Sequence, residues 1–318
     1  MNIGSGTHRL LRWETMLAVV LVLEFVLFAT ISPYFLDVYT LSDATFNFTE
    51  RAIVALPLAL LIIAGEIDIS VAAIIALSSV SMGLTASTGA NTGVVVCAGL
   101  GTGLLAGMIN GALVTIGRVP SIVATIGTMT LFRGAAYAVL GDRVLKAYPE
   151  SFAAFGQGYF FGPVSNELAL FVLFAILFGV FLHYTRWGRV IFAVGANPVA
   201  SRFAGVPVNR YRFALFAVTG LFSGLAAVLL TSRLGSTRPS IAQGWELEII
   251  SMVILGGVSV WGGKGSILGV VLAALVFGLI TFGLGLMNVP GIVMSIFVGT
   301  LLILVVAVPA LVGRMKAT

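Results

Sequence analysis

The chain alternates long apolar blocks with short polar segments along its whole length. A block of about 20 apolar residues is long enough to cross a bilayer as a helix. The pattern predicts an all-α polytopic membrane protein of about ten transmembrane helices, nine being the alternative count, in a single transmembrane domain over residues 1–318. The ten blocks are approximately Met16–Ile31, Ala52–Ala64, Ile69–Ala86, Val94–Ile116, Ile122–Leu140, Leu168–Tyr184, Phe213–Leu230, Leu247–Val260, Ile267–Leu286 and Ile292–Val312.

Two of these blocks are too short for a simple span. Ala52–Ala64 would reach only about 20 Å as a helix against a hydrocarbon layer of about 30 Å, and Pro57 inside it removes one backbone hydrogen bond. Leu247–Val260 runs into a glycine-rich segment, residues 256–265. Both blocks predict broken helices, which often border a transport route. Helices that are merely extended by polar ends are the alternative.

Glycines recur at every fourth residue in two of the blocks. Small residues at this spacing let two helix backbones approach closely, so the pattern predicts helix packing. It does not predict phosphate binding, because no segment has the glycine and hydroxyl spacing of a nucleotide loop. Any ATP hydrolysis therefore belongs to another chain. The glycines are Gly99, Gly103, Gly107 and Gly111 in one block, and Gly220 and Gly224 in the other.

Residues 185–212 form the one long polar segment that is basic and contains no acidic residue. In its middle, Asn197 suits a helix N-cap, Pro198 the first helical position and Gly205 the residue just past the end. These signals predict a helix of about two turns. The arginines of this segment are Arg186, Arg189, Arg202, Arg210 and Arg212.

The predicted short helix has two different faces. Val199 and Phe203 lie four residues apart and share one face, whereas Arg202 falls on another. Such a helix can lie along a membrane surface and offer its apolar face to a partner. A basic loop that only fixes the orientation of the chain explains the arginines equally well, but it does not explain the helix caps.

Composition and charge narrow the function classes. A chain with 59% hydrophobic and 9% charged residues and a mean hydropathy of +1.12 cannot cover a water-soluble globule. The net charge of +5 does not indicate nucleic-acid binding, because the basic residues are dispersed. Cys97 is the single cysteine, and His8 and His183 are the only histidines, so we predict neither a metal site nor a catalytic site.

Charge placement predicts the orientation. With both termini in the cytoplasm, eleven of the seventeen Lys and Arg residues fall on the cytoplasmic side and five on the other. The remaining one, Arg133, lies inside a span. Arg9 and Arg12 precede the first apolar block without a cleavage pattern behind it, which predicts an uncleaved first span.

Four ordered motifs resemble the permease subunits of ABC sugar importers of the ribose/xylose/rhamnose/autoinducer-2 type, and the resemblance extends over nearly the whole chain. The resemblance implies a transport subunit and not an enzyme. It implies import of a monosaccharide or similar small polyol across the bacterial inner membrane. The motifs are GEIDIS from Gly65, GMINGALVTIGRVPSIVATIGTMTLFRG from Gly107, GRVIFAVGANPVASRFAGV from Gly188 and ELEIISMVILGGVSVWGGKGSILG from Glu246.

The same resemblance implies partners. It implies a second permease copy or a paralogue, a cytosolic ABC ATPase that carries the ATP and Mg, and a periplasmic sugar-binding protein, with no cofactor on this chain. The short helix then looks like the coupling helix that docks into the ATPase. The residues implied in that contact are Asn197, Pro198, Ala200, Arg202, Phe203 and Gly205. Glu66, where many such permeases have Gly or Ser, leaves the sugar open, with the rhamnose and autoinducer-2 branches closest.

Several polar residues lie at predicted membrane depth, where they are costly unless paired. Sugar hydroxyls need donors and acceptors, so we take seven of these residues as candidates for the translocation path. Helix capping by Asp68 and Ser70, and bonding between helices by the Thr and Asn side chains, are the alternatives. The candidates are Glu66, Asp68, Ser70, Asn110, Thr125, Thr128 and Arg133.

Two further hypotheses concern isolated charges. Glu24, inside the first span, is predicted to pair with Arg133. An ion-coupled secondary transporter, in which Glu24 or Glu66 binds a proton or cation, is the alternative function. The capped helix in the basic segment favours the ATP-driven reading, because an ion-coupled protein has no need of it.

Overall fold

The computed structural model describes residues 4–300 apart from 33, 47, 292, 295, 297 and 298, with side chains from residue 13 onward. The regular structure in this part of the chain is helical except for one small hairpin and an isolated bridge between Leu145 and Thr237, in agreement with the predicted all-α class. Most of the last predicted block, Ile292–Val312, lies outside the described residues.

The helices and strands follow in chain order. The first helices are α1 (Gly4–Ile31), α2 (Val38–Phe46), α3 (Thr49–Ile63), α4 (Val71–Ser87), α5 (Thr92–Thr115) and α6 (Ser121–Leu140). A 3-10 helix (Glu150–Ala153), α7 (Ala154–Gln157) and the antiparallel strands β1 (Tyr159–Phe161) and β2 (Val164–Ser165) form the following loop. The last helices are α8 (Asn166–Tyr184), α9 (Arg186–Ala196), α10 (Pro198–Phe203), α11 (Val208–Leu234), α12 (Trp245–Leu255) and α13 (Ile267–Leu286).

The number of spans is only partly as predicted. Within the described residues, six helices are long and apolar enough to cross a membrane: α1, α5, α6, α8, α11 and α13. A seventh is added if α2 and α3, which meet at 52°, form one bent span. The count of ten is not confirmed, because three predicted blocks form helices of 15, 17 and 11 residues, namely α3, α4 and α12.

Helix α3 is the centre of the bundle. Every residue from Ala52 to Ala64 is buried, and the helix is apolar on all sides. A helix without a polar face must be enclosed by others. Here α8, α11, α12 and α13 surround it. The short block with Pro57 is therefore an interior element of the bundle.

The glycine pattern brings α5 and α11 into backbone contact. A Cβ atom added to Gly103 would lie 2.7 Å from the Cα of Gly224, and one added to Gly107 would lie 2.9 Å from the Cα of Gly220. No side chain fits between the two helices at these points. The prediction that these glycines serve helix packing is confirmed.

Candidate functional site

The short helix predicted in the basic segment is present as α10, and its caps are as predicted. The Asn197 side chain accepts hydrogen bonds from the amides of Val199 at 3.1 Å and Ala200 at 2.9 Å. Pro198 occupies the first helical turn, and Gly205, just past the end, has a φ of +82°. This left-handed conformation favours glycine, so both ends of α10 are fixed by local sequence.

The apolar face of α10 has no cover in the described part of the chain. Phe203 is 89% exposed and Val199 is 56% exposed. Arg202 lies on another face, where its Nη2 atom donates to Asn209 Oδ1 at 3.4 Å. A fixed helix that exposes a phenylalanine beside arginines is a suitable docking surface for another protein.

Sequence reasoning missed α9, because it treated the residues before Asn197 as a loop. The signals were present: the Thr185 side chain accepts a hydrogen bond from the amide of Gly188 and so caps the helix, and residues 188, 191 and 194 form its buried stripe. Arg186 and Arg189 lie on the exposed face. The basic segment 185–212 therefore contains two short helices in series, α9 and α10, followed directly by α11.

The end of α9 touches the centre of the bundle through backbone atoms. A Cβ atom added to Gly195 would lie 2.6 Å from the amide nitrogen of Gly263 and 2.9 Å from the carbonyl carbon of Ile63. The amide of Gly263 also donates to the Ile63 carbonyl at 2.8 Å. The C-terminal end of α3, the glycine loop after α12 and the end of α9 thus meet with no side chain between them.

A buried polar cluster lies in the segment 64–70 between α3 and α4. Asp68, Ser70 and Asn110 are fully buried, so three translocation candidates lie together. Asp68 Oδ1 accepts from the Ser70 amide at 2.8 Å and from the Ser70 hydroxyl at 2.7 Å, and Asp68 Oδ2 accepts from Asn110 Nδ2 at 3.2 Å. Asn110 Nδ2 also donates to Ser70 Oγ at 2.8 Å.

The interpretation of Asp68 and Ser70 as helix caps is wrong. Ser70 stands at the N-cap position of α4, but its side chain accepts no hydrogen bond from a helix amide. Its hydroxyl donates to Asp68 instead. The pair fixes the turn before α4 and anchors it to Asn110 of α5.

The hydroxyl groups of α6 hold the same segment from the other side. Thr125 Oγ1 accepts from the amide of Ile69 at 3.2 Å, and Ser121 Oγ accepts from the amide of Ile67 at 3.3 Å. Thr128 Oγ1 donates to the carbonyl of Thr125 within α6. Ser121 and Thr125 therefore hold the segment in place, whereas Thr128 bonds within its own helix. A part for Thr125 and Thr128 in the solute route stays a prediction.

Glu66 joins this segment to the basic region. Its Oε1 atom lies 2.7 Å from Nη1 of Arg212, the fifth residue of α11, and the side chains of Glu66 and Arg212 are 8% and 17% exposed. Arg212 Nε has no hydrogen-bond acceptor. A poorly solvated pair of this kind is costly to break on one side only, because the remaining charge is left without a partner.

We expect this ion pair to show strong coupling in a double-mutant cycle. Glu66→Gln and Arg212→Gln should each destabilise the protein by about 3 kcal/mol, whereas the double variant should recover more than about 1 kcal/mol of their sum. Thermal unfolding of the detergent-solubilised protein measures the three values. Additive losses would show that the two side chains do not depend on each other.

Arg133 does not pair with Glu24, so that hypothesis is wrong. Arg133 Nη1 donates to the carbonyls of Pro239 at 2.8 Å and Ile241 at 2.7 Å, and Nη2 donates to the carbonyl of Ala72 at 3.2 Å. Helix α1 packs on α13, whereas α6 packs on α4 and α5. Arg133 therefore ties α6 to the loop before α12 and to the start of α4. The Glu24 Oε2 atom is buried without a hydrogen-bond partner.

Comparison with known proteins shows the family to which this chain belongs. The family model described as the permease component of the branched-chain amino acid transport system matches residues 41–306, most of the chain. The chain belongs to this permease family. It is a transport subunit, and a multi-pass protein of the inner membrane.

Individual relatives are similar over nearly their full length. The autoinducer 2 import system permease protein LsrD of Escherichia coli (strain K12) is 38% identical over 301 residues, which cover 92% of this chain and 91% of the relative. The protein of the same name from Enterobacter sp. (strain 638) is 36% identical over 303 residues, covering 93% and 92%. No solved structure matches the chain.

These matches confirm the resemblance to permeases of ABC importers of the ribose/xylose/rhamnose/autoinducer-2 type. The ion-coupled alternative is less well supported. Glu66, one of its two candidate cation sites, is paired with Arg212. The family and this ion pair both favour the ATP-driven transporter.

Proposed function

We propose that this permease is the transmembrane subunit of an ATP-driven importer that carries a monosaccharide or similar small polyol across the bacterial inner membrane. The observation that carries the proposal is α10, a helix capped at both ends that exposes Phe203 and Val199 in a basic segment without acids. A partner that pushes on the membrane part needs such a rigid contact. An ion-coupled transporter does not.

The partners follow from the family and from what the chain lacks. Since the sequence contains no nucleotide loop, a separate cytosolic ABC ATPase binds ATP and Mg and docks on α10 through Asn197–Gly205. A second permease copy or a paralogue completes the membrane part, and a periplasmic sugar-binding protein delivers the solute. Both termini and α10 lie on the cytoplasmic side in this arrangement.

Two contacts, one made by α9 and one by α11, can transmit a movement of α10 to the rest of the bundle. The first is the backbone contact of Gly195 with Ile63 and Gly263. The second is the ion pair of Arg212 with Glu66, which reaches the segment 64–70. That segment is bonded to α5 and α6, so a tilt of α9 and α10 displaces elements on several sides of the bundle.

The relatives make autoinducer 2 the first solute to test. The seven sequence candidates do not decide between solutes, since Asp68 and Ser70 bond to each other and Glu66 is paired with Arg212. The proposal therefore names a class of small polyhydroxylated solute, and the members to compare are autoinducer 2, rhamnose, ribose and xylose.

Transport by the reconstituted complex tests this function. The permease, with the ATPase and binding protein that co-purify with it, is placed in liposomes with one labelled solute at a time. We expect uptake of at least one of the four solutes that requires hydrolysable ATP and is insensitive to an ionophore. Uptake driven by an ion gradient without ATP would overturn the proposal in favour of the ion-coupled transporter.

A further inference from the structure

A deep apolar groove runs along the outside of the bundle between α8 and α11. Its volume is about 640 Å³, and Leu60 of α3 lies in its lining. Four phenylalanines line it, three on α8 and one on α11, and most of the other lining residues are aliphatic. The phenylalanines are Phe174, Phe178, Phe181 and Phe222. Aromatic and aliphatic walls of this kind accept a flexible hydrocarbon chain.

One end of the groove is polar and the other is not. Trp187 of α9 and Tyr211 of α11 lie at the end next to the basic segment, with their ring centroids 5.2 Å apart. Tryptophan and tyrosine prefer the level of lipid headgroups. The groove thus extends from a headgroup-like rim towards the middle of the hydrocarbon layer.

Arg210 supplies a charge at this rim. It lines the groove, is exposed, and its guanidinium has no hydrogen-bond or carboxylate partner among the residues that the structure describes. No acidic residue lies in the groove lining, and the sequence has none between Glu167 and Glu246. The rim is therefore complementary to an anion.

The dimensions fit one leaflet of a bilayer. Arg210 and Phe222 are twelve residues apart on α11, or about 18 Å along the helix axis. Half of a hydrocarbon layer of about 30 Å is about 15 Å. A ligand with its anionic group at Arg210 would place its chain along the phenylalanines to the middle of the membrane.

We propose that this groove is a binding site for an anionic diacyl phospholipid. Its phosphate contacts Arg210 beside Trp187 and Tyr211, and one acyl chain lies against the phenylalanines of α8 and α11. Basic pockets between transmembrane helices recognise anionic headgroups in this way. Because α9 and α11 both line the site, the bound lipid braces the two helices that hold α10.

A second groove on the same protein provides an internal control. It lies at the other end of α8, has a volume of about 920 Å³ and is lined by Ala169, Leu173 and Phe160 among others, with no charged residue. Hydrocarbon can enter both grooves, but only the first offers a cation to the headgroup. A preference for anionic lipid must therefore depend on Arg210.

Native mass spectrometry of the purified full-length permease tests the site. The delipidated protein is titrated with phosphatidylglycerol or phosphatidylethanolamine of identical acyl chains. We expect the first phosphatidylglycerol to bind about fivefold more tightly, the factor given by one basic side chain near an anionic headgroup. Arg210→Gln should remove the preference for phosphatidylglycerol.

Two groove-filling variants test the position of the site. Ala214→Phe, which fills the first groove, should lower the affinity of the first site for both lipids, whereas Ala169→Phe in the second groove should leave the preference intact.

Three results would overturn the proposal. Equal binding of the two lipids to the unmodified protein would show that the groove holds only bulk lipid. A preference that survives Arg210→Gln would show that the anion-selective site lies elsewhere on the protein. A photo-crosslinking amino acid at Val218, in the groove lining, gives an independent readout in native membrane. A phospholipid adduct is expected there, and a crosslink to a second permease copy or to residues 301–318 would assign the groove to protein instead.

Discussion

Replacing Phe203 with aspartate is expected to detach the permease from the proposed ABC ATPase while the helical bundle stays folded. Phe203 is 89% exposed, so its loss removes little packing inside this chain. A buried aromatic anchor at an interface contributes at least about 2 kcal/mol, which corresponds to about a thirtyfold loss of affinity. The measurement is the amount of ATPase that co-purifies with tagged permease, together with ATP-dependent uptake.

Phe161→Asp is the matched control for this prediction. Phe161 is 81% exposed and lies on the hairpin before α8, whereas α9 and α10 follow the other end of that helix. The control variant should retain the ATPase. Unchanged recovery with Phe203→Asp, or equal loss with both variants, would exclude α10 as the specific contact.

Replacing Gly220 with valine is expected to prevent correct packing of the bundle. The new Cβ atom would lie 2.6 Å from the Cα of Gly107, and that neighbour is backbone, which cannot rotate away. The helices α5 and α11 would have to separate along their whole contact. We expect a destabilisation of more than about 3 kcal/mol, the upper end of usual overpacking costs. Thermal unfolding in detergent and the monodisperse fraction on size-exclusion chromatography report it.

Gly101→Val controls for the substitution itself. Gly101 lies on the same helix as Gly107, but a Cβ atom added there would meet no atom within 4 Å. The change in helix propensity is below about 1 kcal/mol. If both valine variants unfold at the temperature of the unmodified protein, the close packing of α5 on α11 is not what stabilises the bundle.

Local signals allowed some of this structure to be predicted. The caps of α10 lie within nine residues, from Asn197 to Gly205, and each depends on the residue's own backbone preference. The glycine stripe of α5 is equally local, because its spacing alone puts the glycines on one face. In both cases residues close together in the sequence determine the feature, so it can be predicted without knowing the rest of the fold.

Other features depend on distant parts of the chain and could not be predicted. An apolar run does not reveal whether it faces lipid or protein, so the interior position of α3 was not foreseen. Glu66 forms an ion pair with Arg212, which lies on a helix far away along the chain. The contacts of Arg133 also come from distant segments: its guanidinium donates to three backbone carbonyls, and Glu24 is not among its partners.

The burial of the segment 64–70 also limits what polarity can indicate. Asp68 and Asn110 were candidates for the solute path because they are polar at membrane depth. In the structure they bond to each other and to Ser70, and they are fully buried. A polar residue in a membrane protein can equally well hold a turn in place.

The central claim is that this permease works with an ATPase. The most direct measurement is a pull-down of the tagged full-length protein from native membrane, with each co-purifying chain identified by mass. We expect a cytosolic ABC ATPase and a periplasmic solute-binding protein. Recovery of the permease alone, with uptake abolished by an uncoupler while ATP is held constant, would contradict the account.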